Sequence, residues 1–239
     1  MVDGNESLKT TSDESKIMNT IDWYKENIPN ESEGDISAGK YDILIPKLSN
    51  KVALVDMDGT LVDYAGQLEK DLKDLRGPEE PNYEINWNER LPDHIWNRIK
   101  LIKKSKDWWY NLPSLADGFK LLDTAIEIGY EIHVLTKGPK ETKTAWTQKV
   151  RWCEDNLPED TNVTITHDKS LVYGRILIDD YPEYVEGWLR YRPRSLVVMP
   201  LRPWNKDYKH PNVIHYDNSV YGNNYEEVRV RMQEQFDRE

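Results

Sequence analysis

The stretch that decides the fold is Asp56-Met57-Asp58-Gly59-Thr60-Leu61, which directly follows the apolar run Val52-Ala53-Leu54-Val55. A short continuous apolar run is typical of a strand that is buried on both faces of a parallel sheet. Two carboxylates follow it, and Gly59 tolerates the turn that directs both out of the strand's carboxyl end, where open parallel sheets bind ligands. The alternative is a strand-ending turn with two solvated aspartates, which the full stretch disfavours because unpaired acids gain nothing from that position.

Strands and helices alternate along the rest of the chain. Each further predicted strand is short and apolar, and most of the segments between them repeat apolar residues at helical spacing. The predicted strands are 131–135, 163–166, 175–178, 195–199 and 212–216, and the clearest helices are 91–104 and 117–128. This alternation predicts an α/β fold with a parallel sheet and helices on both of its faces.

The spacing of these elements divides the chain into four sections. The long gap between the first strand and the helix that begins at Asp117 indicates an insertion with helical character. A polar N-terminal extension is expected to be partly disordered, with one amphipathic helix over 17–28 and an edge strand over 41–46. The predicted sections are the extension 1–50, the core 51–63 and 113–216, the helical cap 64–112 and a C-terminal helix within 217–239.

Composition sets limits on partners and compartment. The formal net charge of −11 argues against a broad surface for extended nucleic acid or for a membrane. The single cysteine, Cys153, excludes an intrachain disulfide and fits a reducing compartment. The sequence has neither an apolar stretch of about 18 residues nor a signal-peptide pattern, so we expect a cytoplasmic protein.

Four predicted strands end in residues that phosphoryl transfer can use. A carboxylate can attack phosphorus, a hydroxyl and an ammonium can bind phosphoryl oxygens, and further carboxylates can hold Mg²⁺. Each residue alone has a simpler explanation, such as a solvated lysine or a helix cap before Pro182. Together they predict one site at the carboxyl edge of the sheet, from Asp56, Asp58, Thr136, Lys169, Asp179 and Asp180.

This ordered set resembles the haloacid dehalogenase (HAD) superfamily of phosphotransferases. The resemblance implies a Rossmann-like parallel sheet with a small helical cap inserted after the first motif. It also implies that Asp56 is the nucleophile and Asp58 the general acid/base. The implied cofactor is Mg²⁺, held by Asp56, the Asp58 carbonyl, and Asp179 or Asp180.

The quoted motifs are most similar to those of the 5′(3′)-deoxyribonucleotidase family. They are Asp56-Met57-Asp58-Gly59, Thr136-Lys137-Gly138-Pro139, His167-Asp168-Lys169 and Asp179-Asp180-Tyr181-Pro182. The resemblance implies base-binding aromatics at Tyr64, Trp109 and Tyr83, and phosphate binding at Thr136, Lys140 and Lys169. Lys137, His167 and Tyr181 depart from the family pattern, and Lys137 adds an ammonium near the phosphate. Cap–core packing is the alternative role for the aromatic run Trp108-Trp109-Tyr110.

The expected function is Mg²⁺-dependent hydrolysis of (deoxy)nucleoside 5′-monophosphates through an aspartyl-phosphate. The alternatives are a HAD phosphatase for a sugar phosphate or a nucleic-acid 3′ end, and a catalytically silent domain that binds a nucleotide. The expected partner is a small-molecule nucleoside monophosphate, and a homodimer is an open alternative for assembly.

Overall fold

A computed structural model describes residues 50–159 and 161–239. The apolar run before Asp56 forms strand β1, Val52–Val55. Five more strands follow: β2 (Glu131–Lys137), β3 (Asn162–Thr166), β4 (Ile176–Ile178), β5 (Leu196–Pro200) and β6 (Val213–Tyr216). The predictions for residues 1–49, including the helix over 17–28 and the strand over 41–46, lie outside the described residues.

The strands form one parallel sheet in the order β3-β2-β1-β4-β5-β6. Val55 of β1 is paired with Val134 on one side and with Ile178 on the other. A strand with neighbours on both sides and helices on both faces has no solvated surface, which explains why β1 is continuously apolar. The order of the strands reverses beside β1, where β2 lies on one side and β4 on the other, and ligands bind at such a point in open α/β sheets.

Six α-helices lie in the described part of the chain. They are α1 (Tyr64–Asp74), α2 (Asp93–Ile102), α3 (Ala116–Ile128), α4 (Thr144–Asn156), α5 (Pro182–Arg190) and α6 (Tyr225–Asp237). A short 3₁₀ turn, Lys169–Leu171, follows β3. The end of α3 is set by Gly129, whose left-handed φ of 103° closes the helix, as its sequence position predicts. None of these helices is both long and apolar enough to cross a membrane.

Two apolar clusters cover the two faces of the sheet. One contains Leu54, Leu177 and Trp188, and joins the sheet to α5. The other contains Ala53, Leu121 and Met232, and joins it to α3, α4, α6 and the two helices between β1 and α3. The predicted α/β fold with helices on both faces is confirmed. β2 differs from its prediction because Thr136 lies inside the strand and not beyond its end.

Candidate active site

The turn after β1 brings two acids to the carboxyl edge of the sheet. The Asp56 N–H donates to the carbonyl of Ile178 at 2.8 Å, so Asp56 still follows the strand direction. Gly59 then takes a φ of 80°, which L side chains rarely adopt. A Cβ at this position would lie 2.4 Å from a carboxylate oxygen of Asp180. Glycine is therefore required here both for the backbone turn and for the approach of Asp180.

Three buried carboxylates meet at this edge. Asp56, Asp179 and Asp180 each offer an oxygen within 4.8 Å of the others. The Lys169 Nζ lies 2.7 Å from Asp56 Oδ1 and 2.7 Å from Asp179 Oδ2. The two oxygens of Asp180 accept hydrogen bonds from the Thr60 hydroxyl at 3.1 Å and from the Trp204 indole N–H at 2.9 Å. Residues from three separate strand ends are thus in direct contact.

The charges of this cluster do not balance. Burial raises the pKa of Asp179 and of Asp180, and the neighbouring carboxylates raise it further. Burial alone would lower the pKa of Lys169, but Asp179 and Asp56 hold it above its ordinary value, so the ammonium stays charged. One ammonium cannot neutralise three ionised carboxylates in a desolvated site. Three convergent carboxylate oxygens fit a hard divalent cation such as Mg²⁺, which would supply the missing charge.

Asp58 lies beside this cluster with a different partner. Its Oδ2 accepts a hydrogen bond from the Lys149 ammonium at 2.6 Å, and the same ammonium donates to the Thr136 hydroxyl at 2.8 Å. Burial raises the pKa of Asp58, although Lys149 opposes that rise. A raised pKa favours the protonated carboxyl, which is the form that a general acid requires.

Sequence analysis missed Lys149, which is fully buried on α4. It lies three residues after Trp146 and four before Cys153, so it falls on the helix face assigned to the core. A single lysine on an apolar helix face is the signal that could have found it, because a buried ammonium needs an anionic or polar partner. The hydroxyl of Thr136, for which phosphate binding stays a prediction, accepts a hydrogen bond from Lys149.

A cavity of about 470 Å³ opens above the carboxylates. It is lined by Asp56, Asp58 and Asp180, by the lysines 103, 137, 140 and 169, and by the aromatic residues Tyr64, Trp87, Trp96, Trp109, Tyr181, Tyr184 and Trp204. The predicted binding residues Tyr64, Trp109, Lys137 and Lys140 are therefore brought together. Tyr83 and Thr136 are not among the described residues that line this cavity.

The aromatic run splits between the two predicted roles. Trp109 stacks on Tyr64 with ring centroids 5.4 Å apart, and both rings line the cavity. Trp108 is packed instead, with its indole N–H donating to Asp71 at 2.6 Å. The Tyr110 hydroxyl donates to Asp155 at 2.6 Å, away from the cavity. Only the middle residue of the run therefore reaches the site.

Comparison with known proteins places the chain in a family. The model of the family described as "5′ nucleotidase, deoxy (Pyrimidine), cytosolic type C protein" matches residues 50–213. The chain belongs to this 5′-nucleotidase type C family. A protein named putative 5′(3′)-deoxyribonucleotidase from Bordetella pertussis is 25% identical over 165 residues, covering 64% of this chain and 85% of that protein. The mitochondrial 5′(3′)-deoxyribonucleotidase of Mus musculus is 25% identical over 142 residues, covering 54% of this chain and 64% of the mouse protein.

Two solved structures illustrate the similarity in fold. One is described as a dehalogenase, with a TM-score of 0.47, 15% identity and coverage of 75% of this chain and 96% of the other. Another is a HAD family hydrolase from Deinococcus radiodurans R1 with bound phosphate and sodium, with a TM-score of 0.45, 13% identity and coverage of 77% and 96%. The family assignment confirms the predicted HAD-type phosphatase related to 5′-nucleotidases.

Proposed function

We propose that this 5′-nucleotidase type C protein hydrolyses (deoxy)nucleoside 5′-monophosphates with Mg²⁺, by way of an aspartyl-phosphate. The observation that carries the proposal is the juxtaposition of Asp56 and Asp58 with Lys169 beneath a cavity walled by aromatic rings. The carboxylates and the ammonium suit a phosphoryl group, and flat apolar rings such as Tyr64 and Trp109 suit a nucleobase by stacking. The names of the two relatives support a nucleotide substrate.

The first step uses Asp56 and Asp58 in different roles. A carboxylate oxygen of Asp56 forms a bond to phosphorus while the bond from phosphorus to the nucleoside oxygen breaks. Asp58 gives its proton to that oxygen, so that the nucleoside leaves as an alcohol. Lys169 bonds Asp56, holds its carboxylate in place and stabilises the negative charge that develops on the phosphoryl oxygens.

The second step releases phosphate. Asp58, now a carboxylate, removes a proton from a water that attacks phosphorus, and the bond from phosphorus to Asp56 breaks. Asp56, Asp179 and Asp180 would hold Mg²⁺, which when bound supplies charge neutralisation at the phosphoryl oxygens. The aromatic wall limits water around the leaving group during the first step. We assign the reaction to the cytoplasm, which the cytosolic wording of the family description supports.

Replacing the nucleophile tests the proposal. We expect Asp56→Asn to abolish Mg²⁺-dependent release of phosphate from deoxynucleoside 5′-monophosphates, because an amide cannot form the phosphoryl ester. The change removes one of three buried negative charges and leaves Lys169 paired with Asp179, so circular dichroism should show an intact fold. Asp207→Asn, an exposed residue outside the cavity, is the matched control and should keep the wild-type rate.

A substrate panel defines the specificity. Deoxy- and ribonucleoside 5′-monophosphates, a sugar phosphate and p-nitrophenyl phosphate should be compared with and without a chelator. We expect nucleotides to give the highest kcat/KM. Turnover by Asp56→Asn would refute the nucleophile, and a preference for the sugar phosphate would refute the nucleotide substrate.

A further inference from the structure

Lysine side chains are more numerous in the cavity than one phosphate needs. Lys169 is paired with Asp56 and Asp179, and the Lys137 ammonium donates to the Tyr184 hydroxyl at 2.7 Å. The ammonium groups of Lys103 and Lys140 have no hydrogen-bond or salt-bridge partner among the described residues, and both lysines line the cavity. Lys103 differs from Lys140 because it is partly buried, whereas Lys140 is exposed.

The backbone of Lys103 is held at the end of helix α2. It caps the carboxyl end of α2, and its carbonyl accepts a hydrogen bond from the Trp109 indole N–H at 3.0 Å. Trp109 in turn stacks on Tyr64, so Lys103 is tied to the aromatic wall of the cavity. A cation in a partly buried position lacks part of the hydration that stabilises an exposed lysine, so it gains from an anionic partner.

The surroundings place Lys103 on the leaving-group side of the site. The centroid of the Trp109 ring, whose N–H is bonded to the Lys103 carbonyl, lies 4.9 Å from the Lys149 ammonium, and Lys149 in turn donates to Asp58 at 2.6 Å. Asp58 is the residue from which the leaving oxygen takes its proton under the proposed function. Lys103 therefore belongs to the part of the cavity wall beside Asp58, where the leaving group would lie.

The charges in the cavity leave Lys103 without a role in binding one phosphate. Lys149 pairs with Asp58, and Lys169 together with a divalent cation would offset the three negative charges of Asp56, Asp179 and Asp180. Lys137 and Lys140 reach the same cavity and can balance the phosphate that is transferred. The ammonium of Lys103 then remains for a second negative group on the substrate.

We propose that Lys103 binds a second anionic group, carried by the leaving part of the substrate, so that the site prefers a nucleoside bearing a further phosphate besides its 5′-phosphate. This inference rests on the proposed function and narrows its substrate class. A nucleoside 3′,5′-bisphosphate has the required chemistry, with one phosphate for transfer, a base for the aromatic wall and a second phosphate for the lysine. Because hydrogen bonds between charged groups are stronger than those between neutral ones, the expected preference is about tenfold or more.

The test compares thymidine 5′-monophosphate with thymidine 3′,5′-bisphosphate. Equilibrium binding of both by calorimetry to Asp56→Asn protein with Mg²⁺ avoids turnover, and release of the 5′-phosphate by wild-type protein gives kcat/KM. We expect the wild-type cavity to prefer the bisphosphate about tenfold, and Lys103→Met to remove that preference in both measurements. Lys104→Met, an exposed neighbour outside the cavity, is the matched control and should keep it.

The outcomes separate the inference from the function. Hydrolysis of the monophosphate without preference for the bisphosphate would overturn the inference and leave the proposed function standing. Equal weakening of both ligands by Lys103→Met would also overturn it, since Lys103 would then bind a group that both share. If neither compound is hydrolysed, the proposed function fails, and the binding preference still decides whether Lys103 recognises a second anion.

Discussion

At the residue scale, the Lys149–Asp58 pair determines which oxygen of Asp58 can act. Oδ2 accepts from the Lys149 ammonium at 2.6 Å, whereas Oδ1 has no hydrogen-bond partner among the described residues. A proton on Oδ2 would compete with the ammonium for the same oxygen, so under the proposed function Oδ1 carries the proton to the leaving group. We therefore expect Lys149 to act as a positioning residue that orients Asp58.

Lys149→Met tests this role. The variant keeps most of the buried volume but removes the charge that opposes the raised pKa of Asp58. We expect kcat to fall about 10- to 100-fold with a smaller change in KM, because general acid–base catalysis contributes about 10²–10⁴-fold and the variant loses only the orientation of the acid. The pH at which activity falls on the alkaline side should move upward, since Asp58 would keep its proton to higher pH.

The control for this variant is Lys143→Met, which changes an exposed lysine at the N-cap position of the same helix, α4. It should leave both kcat and the pH profile unchanged. A Lys149→Met protein that loses activity with an unshifted pH profile would show that Lys149 is structural only.

At the element scale, helix α3 packs through Gly118 against the turn that follows β1. A Cβ at Gly118 would lie 1.8 Å from the Thr60 carbonyl oxygen and 2.7 Å from its carbon. Both contacts are with backbone, which cannot rotate away as a side chain can. The Arg202 guanidinium, beyond β5, holds the other end of the same turn, because it donates to the Gly59 carbonyl at 2.9 Å and bonds Asp117 of α3 at 2.6 Å.

Gly118→Ala should therefore damage both stability and activity. We expect the free energy of unfolding to fall by about 2–4 kcal/mol, since overpacking against fixed backbone forces the helix or the turn to move. Displacement of the turn would also lower kcat, because Asp58 lies two residues before Thr60. Urea denaturation and the phosphate-release assay measure the two effects.

Gly187→Ala is the matched control in helix α5. A Cβ there meets nothing within 4 Å. Removal of a glycine from a helix interior should raise the free energy of unfolding by about 0.5–1 kcal/mol. Equal effects of the two substitutions would contradict the steric explanation for Gly118.

At the scale of the whole molecule, the parallel sheet concentrates negative charge at one edge, so metal binding and pH are linked to stability. Burial raises the pKa of Asp179 and Asp180 in the metal-free protein, and their values in the unfolded chain are about 4. Above that pH, the native state binds more protons than the unfolded state. Stability of the metal-free protein therefore falls as the pH rises through the folded-state values.

This linkage predicts that rising pH lowers the stability of the metal-free protein and that Mg²⁺ offsets this loss. In a chelator, we expect Tm to be lower by a few degrees at about pH 8 than at about pH 7. Mg²⁺ should raise Tm more at the higher pH, because carboxylates bind the metal in their deprotonated form. Burial lowers the pKa of His133, so its titration makes the protein more stable as the pH rises. This effect is confined to pH values below the ordinary His pKa of about 6.5 and does not act between about pH 7 and about pH 8.

Thermal denaturation followed by circular dichroism measures these shifts. Asp180→Asn removes one of the titrating groups and should flatten the dependence of Tm on pH in the chelator. A metal-free protein that becomes more stable between about pH 7 and about pH 8 would contradict the linkage.

The sequence by itself determined the sheet and the acids at its edge. Val52–Val55 is apolar at every position, and Gly59 follows the two aspartates. The types and order of these residues were enough to predict a buried strand that ends at a ligand-binding site. The order of reactive residues along the chain then predicted Asp56, Lys169 and Asp179 at one edge. That inference worked because the carboxyl ends of parallel strands must meet there.

Only the tertiary structure decided which side chains contact one another across the chain. Lys149 lies 91 residues from Asp58, and Trp204 lies 24 from Asp180, so no local pattern links them. Lys103 lies outside the sequence motifs, so no motif predicts its role. Thr136 was predicted from its residue type, but only the structure shows that its hydroxyl accepts a hydrogen bond from the Lys149 ammonium. Periodicity assigns a residue to a face, whereas the contacts of a buried polar side chain depend on how the elements pack, which is a property of the whole fold.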